Sequence, residues 1–255
     1  MRALFFGMLL VSAPGCALAA QLTISSAASH SSGRYGAEKP TTVTSSSLGA
    51  TGSFDEWEIS ATLPYLSVGV GGADLTVGGV VIQPDRGRGR VSGFGDAFVT
   101  IGRTLPMGDE FPVEVAIEGQ VKLPTGARKL STGKLDGGLD VELSRQFGAV
   151  SPFFSAGYRF YGDSAELELE NDWAISAGAT ITHGRLTFIG SYDWSSSPIG
   201  LPGAEEMFAV ASGPLAREWN WTLFGSKGFS EGAADLMFGI GLSRTFGSNH
   251  LLLKK

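Results

Sequence analysis

Residues 118–148 read EGQVKLPTGARKLSTGKLDGGLDVELSRQFG, and this stretch decides the fold. Apolar and polar side chains alternate one by one in residues 113–122 before its central loop, and again in residues 139–144 after it. Successive side chains of a strand point to opposite faces, so each half has one apolar and one polar face. The segment predicts a large hairpin with a Gly-, Thr- and Lys-rich loop, and the rest of the chain repeats the pattern.

Composition favours many short strands. The chain has 255 residues, of which 43% are hydrophobic and 17% charged, with 37 Gly and 16 Phe. Such a chain is neither disordered nor all-helical, and the Gly content predicts turns between strands. The net charge of -6 and the pI near 5.1 exclude nucleic acid as a partner, because phosphate binding needs a clustered basic face.

The N-terminal sequence MRALFFGMLLVSAPGCALAAQ is typical of an export signal. It has a basic start at Arg2, an apolar centre, and an A-x-A cleavage pattern at Ala17 and Ala19. We predict a cleaved signal peptide over residues 1–20. Lipidation of Cys16, the single cysteine, stays an alternative that the preceding Ala13 and Pro14 disfavour. Without Cys16 the exported chain has no disulfide to stabilise it.

After the signal, about twelve alternating segments have the length of tilted strands that cross a bilayer. They span residues 21–33, 41–51, 55–65, 93–105, 111–123, 136–147, 151–162, 171–183, 185–195, 205–213, 219–228 and 235–246. A soluble antiparallel sandwich would alternate in the same way. The connections separate the two interpretations, because short and long ones follow each other strictly, as in bacterial outer-membrane barrels and unlike Greek-key sandwiches.

The predicted fold class is therefore all-β, a closed antiparallel up-and-down transmembrane β-barrel of about twelve strands. Closure is required because an open sheet edge in hydrocarbon leaves backbone groups unsatisfied. We predict the barrel over residues 21–247 and a short periplasmic tail over residues 248–255. The predicted location is the bacterial outer membrane, with outer-membrane lipid and lipopolysaccharide, the barrel assembly machinery and a small-molecule solute as partners.

Several motifs add a family resemblance. They are SGFGDAFVTIGRTL (92–105), KLPTGARKLSTGKLDGGLDVELSRQFG (122–148), FFSAGYRFYGD (153–163), SKGFSEGAADLMFGIGLSRTF (226–246), SSGRYG (31–36) and ATLPYLSV (61–68). Together they resemble the outer-membrane transporter-like proteins of the MetA pathway of phenol degradation. The resemblance spans nearly the whole exported chain and implies a barrel of about twelve strands that passes hydrophobic or aromatic compounds.

Charges on the polar faces of the strands are the candidate lumen lining. They are Glu58, Glu114, Glu118, Lys122, Asp140, Glu142, Arg159 and Asp193. With lipid outside, these side chains must point inward. Two interpretations stay open. The charges pair across strands and fill the interior, or they line a narrow pore and select what passes.

Two loop features bear on entry to the barrel. The apolar residues Leu75, Val77, Val80, Val81 and Ile82 lie in the long connection 66–92, and we expect them either to fold inward as a constriction or to form a short extra strand at the rim. Basic residues of two long loops are expected to form an external rim that holds lipopolysaccharide phosphates, with a plain solvated loop as the alternative. These are Arg86, Arg88, Arg90, Arg128, Lys129 and Lys134.

The sequence gives little support for catalysis or for a metal or cofactor site. The three histidines, His30, His183 and His250, lie apart from any metal-ligand spacing, so no metal and no cofactor are expected. His183 beside Thr182 is the one candidate for a lipid-modifying hydrolase. We predict no enzyme. The expected function is a passive channel for small, hydrophobic or aromatic compounds, and the first alternative is a structural or surface-interaction barrel with a filled lumen.

Overall fold

The computed structural model describes residues 21–35, 38–69, 75–77, 80–82, 89–106, 112–162, 169–198 and 202–247. The predicted signal peptide and C-terminal tail lie outside these residues. The strands are β1 (Gln21–Gly33), β2 (Thr41–Phe54), β3 (Trp57–Gly69), β4 (Leu75–Val77), β5 (Val80–Ile82), β6 (Arg90–Phe94), β7 (Ala97–Pro106), β8 (Glu114–Leu123), β9 (Asp136–Ser144), β10 (Val150–Phe160), β11 (Asp172–His183), β12 (Leu186–Ser195), β13 (Ala204–Pro214), β14 (Trp219–Gly228) and β15 (Leu236–Gly247).

Twelve of these strands close into one antiparallel barrel, which confirms the predicted fold class. The twelve strands are β1, β2, β3 and β7–β15. In that order each strand pairs with the one after it, and β15 pairs with β1 to close the sheet. Gln21 lies opposite Gly247, so both ends of the barrel chain lie at the end where the strands are joined by short turns. We call this the turn end, and the opposite end, with the long connections, the loop end.

The exterior of the wall is apolar. Outward-facing side chains such as Phe238 and Ile240 are 60% and 57% exposed. Exposed apolar residues of the same kind lie on all the other strands of the barrel. Threonine, serine and charged side chains on the opposite face are buried, for example Thr51, Ser176 and Thr222. A soluble protein rarely exposes a continuous apolar surface of this extent, so the exterior matches hydrocarbon rather than water.

Aromatic side chains mark both edges of this apolar surface. At the loop end, Tyr65 and Phe94 make an edge-to-face contact with ring centroids 5.4 Å apart. At the turn end, Arg103 lies over Trp57 at 5.1 Å and Arg244 over Trp219 at 5.6 Å. Aromatic rings and arginines at two levels are typical of the interfaces of a bilayer, where an amphipathic ring contacts both lipid and headgroup.

The predicted fourth segment, 93–105, is interrupted. Both β6 and β7 pair with β3, where Phe94 lies opposite Tyr65 but Phe98 lies opposite Thr62, so one extra residue stands between the two pairs. The Gly95 amide donates a hydrogen bond to the Pro64 carbonyl at 2.9 Å. This is a β-bulge, which turns two successive residues to the same face. As a result, Asp96 lies inside the barrel.

The remaining strands and turns are simple. β4 and β5 form a two-stranded sheet in which, among the described strands, each pairs with the other alone. Gly148 and Gly184 have φ values of 62° and allow the tight turns after β9 and β11 at the turn end. Within the described part of the chain, no helix is long and apolar enough to cross a membrane.

Candidate functional site

The inner face of the barrel carries the predicted charges. Residues two apart in a strand share a face, and Lys122 in β8 and Asp193 in β12 are 2% and 5% exposed while their apolar neighbours face outward. By the same alternation the structure places all eight predicted lumen residues on the inner face: Glu58, Glu114, Glu118, Lys122, Asp140, Glu142, Arg159 and Asp193. Whether a solute passes them stays a prediction.

Three carboxylates lie in one row of the sheet near the turn end. Glu58 lies opposite Gly102, Gly102 opposite Glu118, and Glu118 directly opposite Asp140. Like charges placed directly opposite each other repel. Gly102 lies within this row, and Gly157 lies opposite Asp140. A Cβ on Gly157 would meet the Asp140 side chain, so this glycine leaves space for the carboxylate.

One cation lies beside this row. Arg159 Nη2 is 3.7 Å from Asp140 Oδ1, with 13% and 21% of the two side chains exposed. Ser53 donates a weak hydrogen bond of 3.4 Å to Glu58. Along the described inner face of β3 and β7–β13, carboxylates thus outnumber cations, since Lys122 and Arg159 supply the positive charge there. The interior is strongly acidic.

An apolar strip occupies another part of the inner face. Ile189, Val210 and Phe224 lie opposite each other across β12, β13 and β14. A Cβ on Gly239 would meet the Phe224 ring, so the ring packs over that glycine. Phe153 packs over Gly178 in the same way. The inner face therefore has an acidic region centred on β8 and β9 and an apolar strip on β12–β14.

A buried charge network lies at the loop end. Lys122 Nζ is 3.1 Å from Asp96 Oδ2 and 2.6 Å from Asp136 Oδ2. The exposed fractions of these side chains are 2%, 0% and 7%. The β-bulge supplies Asp96, the end of β8 supplies Lys122, and the start of β9 supplies Asp136. One ammonium is thereby held between two carboxylates at a place that water does not reach.

The loop between β8 and β9 packs onto this network. Asp96 accepts hydrogen bonds from the Gly126 amide at 2.8 Å and from the Ser131 hydroxyl at 2.7 Å. Lys122 donates to Thr132 Oγ1 at 2.9 Å. Leu130, between these anchors, is fully buried. The sequence predicts that residues 124–135 are a surface loop of the external rim, but the middle part of this loop turns into the barrel.

Two tyrosines close further parts of the loop end. Tyr35 follows β1 with a φ of 50° and is 5% exposed, and burial raises the pKa of its phenol. Tyr161 follows β10 and donates to Asp172 Oδ2 at 3.2 Å. Burial is the first cause that raises the pKa of Tyr161, and the charge of Asp172 is the second. Both phenols are therefore neutral at physiological pH, and Tyr161 is a hydrogen-bond donor to Asp172.

The other predicted residues fall in three groups. Leu75–Val77 and Val80–Ile82 are paired strands, but their side chains are outside the described residues, so their role as a constriction stays a prediction. Arg86 and Arg88 of the basic rim also lie outside, whereas Arg90, Arg128, Lys129 and Lys134 are exposed at the loop end. His183 is exposed at a tight turn at the turn end.

Four buried carboxylates were not among the predicted lumen residues: Asp96, Asp136, Asp172 and Glu206. Asp136 and Asp172 are the first residues of their strands, and Glu206 is the third residue of its strand. The sequence signal was an acidic residue at a strand end, which is equally common on a solvated surface. Within the described residues, no group of three or more His, Cys, Asp or Glu side chains is arranged to hold a metal ion.

Sequence comparisons do not identify a family. No family model matches the chain, and no curated protein matches it. The resemblance to the MetA pathway of phenol degradation therefore stays a prediction.

Solved structures do share the fold. The COG4313 outer membrane channel from Pseudomonas putida F1 superposes with a TM-score of 0.71 at 11% identity, covering 91% of this chain and 97% of its own. The KdgM porin gives a TM-score of 0.58 at 6% identity, covering 88% and 99%. The NanC porin gives 0.57 at 11% identity, covering 88% and 98%. At such low identity these likenesses show the fold alone.

Proposed function

We propose that this chain is a bacterial outer-membrane channel through which small solutes pass without an energy source, and that these solutes are hydrophobic or aromatic compounds. One observation carries the proposal. The closed barrel has an apolar, exposed exterior and an acidic inner face whose turn-end carboxylates are only partly buried. The structural likeness to proteins described as a channel and as porins supports it.

The apolar strip supports the finer part of the proposal. Ile189, Val210 and Phe224 present a continuous apolar surface to the interior, opposite in character to the acidic region. A small aromatic compound that contacts this strip removes apolar area from water, which favours its entry over that of a sugar of equal size.

We further propose partners and location on the same basis. The chain is exported to the outer membrane, is inserted by the barrel assembly machinery and is surrounded by lipid. The exposed basic residues Arg90, Arg128, Lys129 and Lys134 bind phosphates of lipopolysaccharide at the loop end. We propose that the chain is not an enzyme. Purified protein that hydrolyses phospholipid, and loses this activity in His183→Ala, would contradict this.

The test is passage itself. Purified protein reconstituted into liposomes should let small sugars enter, seen as swelling, and should give discrete current steps in planar bilayers. Phenol added to the bilayer should interrupt the current for longer than glucose does, and Ile189→Ser with Val210→Ser should shorten these interruptions. No swelling and no current from a folded barrel would reject the channel.

A second candidate function has its own supporting observation. The loop end of the interior contains fully buried side chains, including Leu130, Val68 and Asp96. A barrel filled in this way along its whole length would be a structural or surface-interaction protein. Failure of every solute to enter liposomes would favour this alternative.

A further inference from the structure

We propose that the loop between β8 and β9, residues 124–135, is a fixed constriction that sets the largest solute able to cross the barrel, and that the buried network of Lys122, Asp96 and Asp136 positions it. This inference rests on the proposed function, because a size limit has meaning only in a channel. It assigns the role to a different segment from the apolar residues 75–82 that the sequence suggested.

The loop lies against the inner side of the wall. Its ends leave β8 and β9 at the loop end, yet Leu130 is fully buried and the Ala127 amide donates to the Phe94 carbonyl of β6 at 2.8 Å. A Cβ on Gly126 would come within 2.9 Å of the Asp96 backbone nitrogen, so the loop backbone lies directly against the bulge. A solvated surface loop has no reason to approach the wall so closely.

The loop is held by hydrogen bonds to buried charges. Gly126, Ser131 and Thr132 are bound by groups of the Lys122 network, and the network itself bridges the bulge, β8 and β9. Gly162 follows the end of β10 at the loop end. Its amide donates to Asp136 Oδ1 at 3.0 Å, which extends the network to β10. Buried charges of this kind add little net stability but specify one arrangement, because any other arrangement leaves a charge unpaired. The constriction is therefore rigid rather than a gate.

The β-bulge between β6 and β7 lies at the point where the loop contacts the wall. In a regular strand, Asp96 and Phe98 would share a face with Phe94, which faces outward. The extra residue between Phe94 and Phe98 instead turns Asp96 inward, where it accepts from the loop. The wall thus departs from regular pairing where Gly126 and Ser131 of the loop are bound to it.

Three variants test the inference. The first replaces residues 125–134 with a short Gly-Ser link. The second, Leu130→Gly with Ser131→Ala and Thr132→Val, removes the anchors made by side chains 130–132. It leaves Lys122 between Asp96 and Asp136, so the wall keeps its ion pairs and should fold. The control, Leu135→Ala, changes an exposed side chain of the same loop and none of its anchors.

Single-channel conductance and liposome swelling with sugars of increasing size give the readout, with folding checked by heat-dependent mobility on a gel. We expect the first two variants to conduct several-fold more current and to admit larger sugars than the parent, while the control keeps the parent's size limit. An independent readout uses Leu130→Cys in a Cys16→Ser background. A membrane-impermeant maleimide should label this cysteine slowly when the other anchors are present and at least several-fold faster in the Ser131→Ala, Thr132→Val background.

The outcomes are distinct. Equal conductance and an equal size limit in parent and variants would overturn the constriction and leave the channel intact. A parent that passes nothing, with variants that pass sugars, would support a constriction that closes the barrel and would reject passive passage in the parent. No passage through any folded variant would overturn both the constriction and the proposed function.

Discussion

The two ends of the barrel interior treat charge differently. At the loop end, Lys122, Asp96 and Asp136 are buried and bound to one another at 2.6–3.1 Å. Toward the turn end, Glu58, Glu118 and Glu142 are partly exposed, whereas Arg159, which is 3.7 Å from Asp140, lies near the loop end of β10. The same residue types thus hold a loop in place at one end and face solvent at the other. Burial and partners, rather than charge as such, distinguish a structural charge from one that a solute can meet.

The largest loss of stability is expected when the charge network at the loop end is broken. Lys122→Met removes the ammonium and leaves Asp96 and Asp136 buried without their cation, which should lower the free energy of unfolding by about 3–5 kcal/mol. Urea unfolding of the barrel in detergent or lipid measures the change. Arg244→Ala is the matched control, because its pair with Glu218 is 2.8 Å long but 40% and 48% exposed, and it should cost at most about 1 kcal/mol. Equal losses would show that the network is not special.

A smaller effect tests the packing of the loop against the bulge. A Cβ at Gly126 would meet the Gly95 backbone carbon at 2.8 Å, so Gly126→Ala must displace backbone and should cost about 1–3 kcal/mol. Gly190 has no atom within 4 Å of the corresponding position, so Gly190→Ala should not lower stability. If both variants unfold at the same urea concentration, the Gly126 backbone is not packed tightly against the bulge.

At the turn end, backbone conformation gives the next effect. Gly184 has a φ of 62° with open space around it, so Gly184→Ala strains the backbone without any clash. The expected loss is about 1–2 kcal/mol, measured by the same unfolding experiment. An Asn at this position, which tolerates a left-handed conformation better, should recover part of the loss. A loss as large for Asn as for Ala would argue against backbone strain as the cause.

The last effect concerns the exposed carboxylates. An acidic lining attracts cations, so the channel should prefer potassium to chloride, and the variant Glu58→Gln, Glu118→Gln, Glu142→Gln should lose several-fold of that preference. Such a change corresponds to about 1 kcal/mol, since 1.36 kcal/mol is tenfold. Reversal potentials in a salt gradient measure it. Glu218→Gln, outside the lumen, should leave the preference unchanged, and a parent that prefers chloride would contradict the expectation.

Much of the fold could be predicted from the sequence, because each strand of a membrane barrel alternates apolar and polar residues. Leu139 and Asp140 must face opposite sides whatever the rest of the chain does, so strand positions and the inner face follow from local pattern. The same rule placed Glu118 and Arg159 inside.

The bulge and the loop anchors were not accessible in the same way. The alternation of residues 90–106 predicts one continuous strand. No feature of the neighbouring sequence indicates that Phe94 and Phe98 face opposite sides. Asp96, Lys122 and Asp136 come from three separate segments, so their meeting depends on the register of the closed sheet. Ser131 and Thr132 looked like ordinary loop residues, because a hydroxyl in a loop is as often hydrated as bound to a buried charge.

The pairing of Gln21 with Gly247 has a consequence for how the protein is made. The first strand to be synthesised has its second partner, β15, only when the last strand has been synthesised. Until then both edges of the sheet carry open amide and carbonyl groups, and a chain that ends before Leu236 has no way to cover them in hydrocarbon. Completion of the wall is thus all or none, and the neighbouring ends also allow a circular permutant in which a short linker joins them and new termini open in a turn.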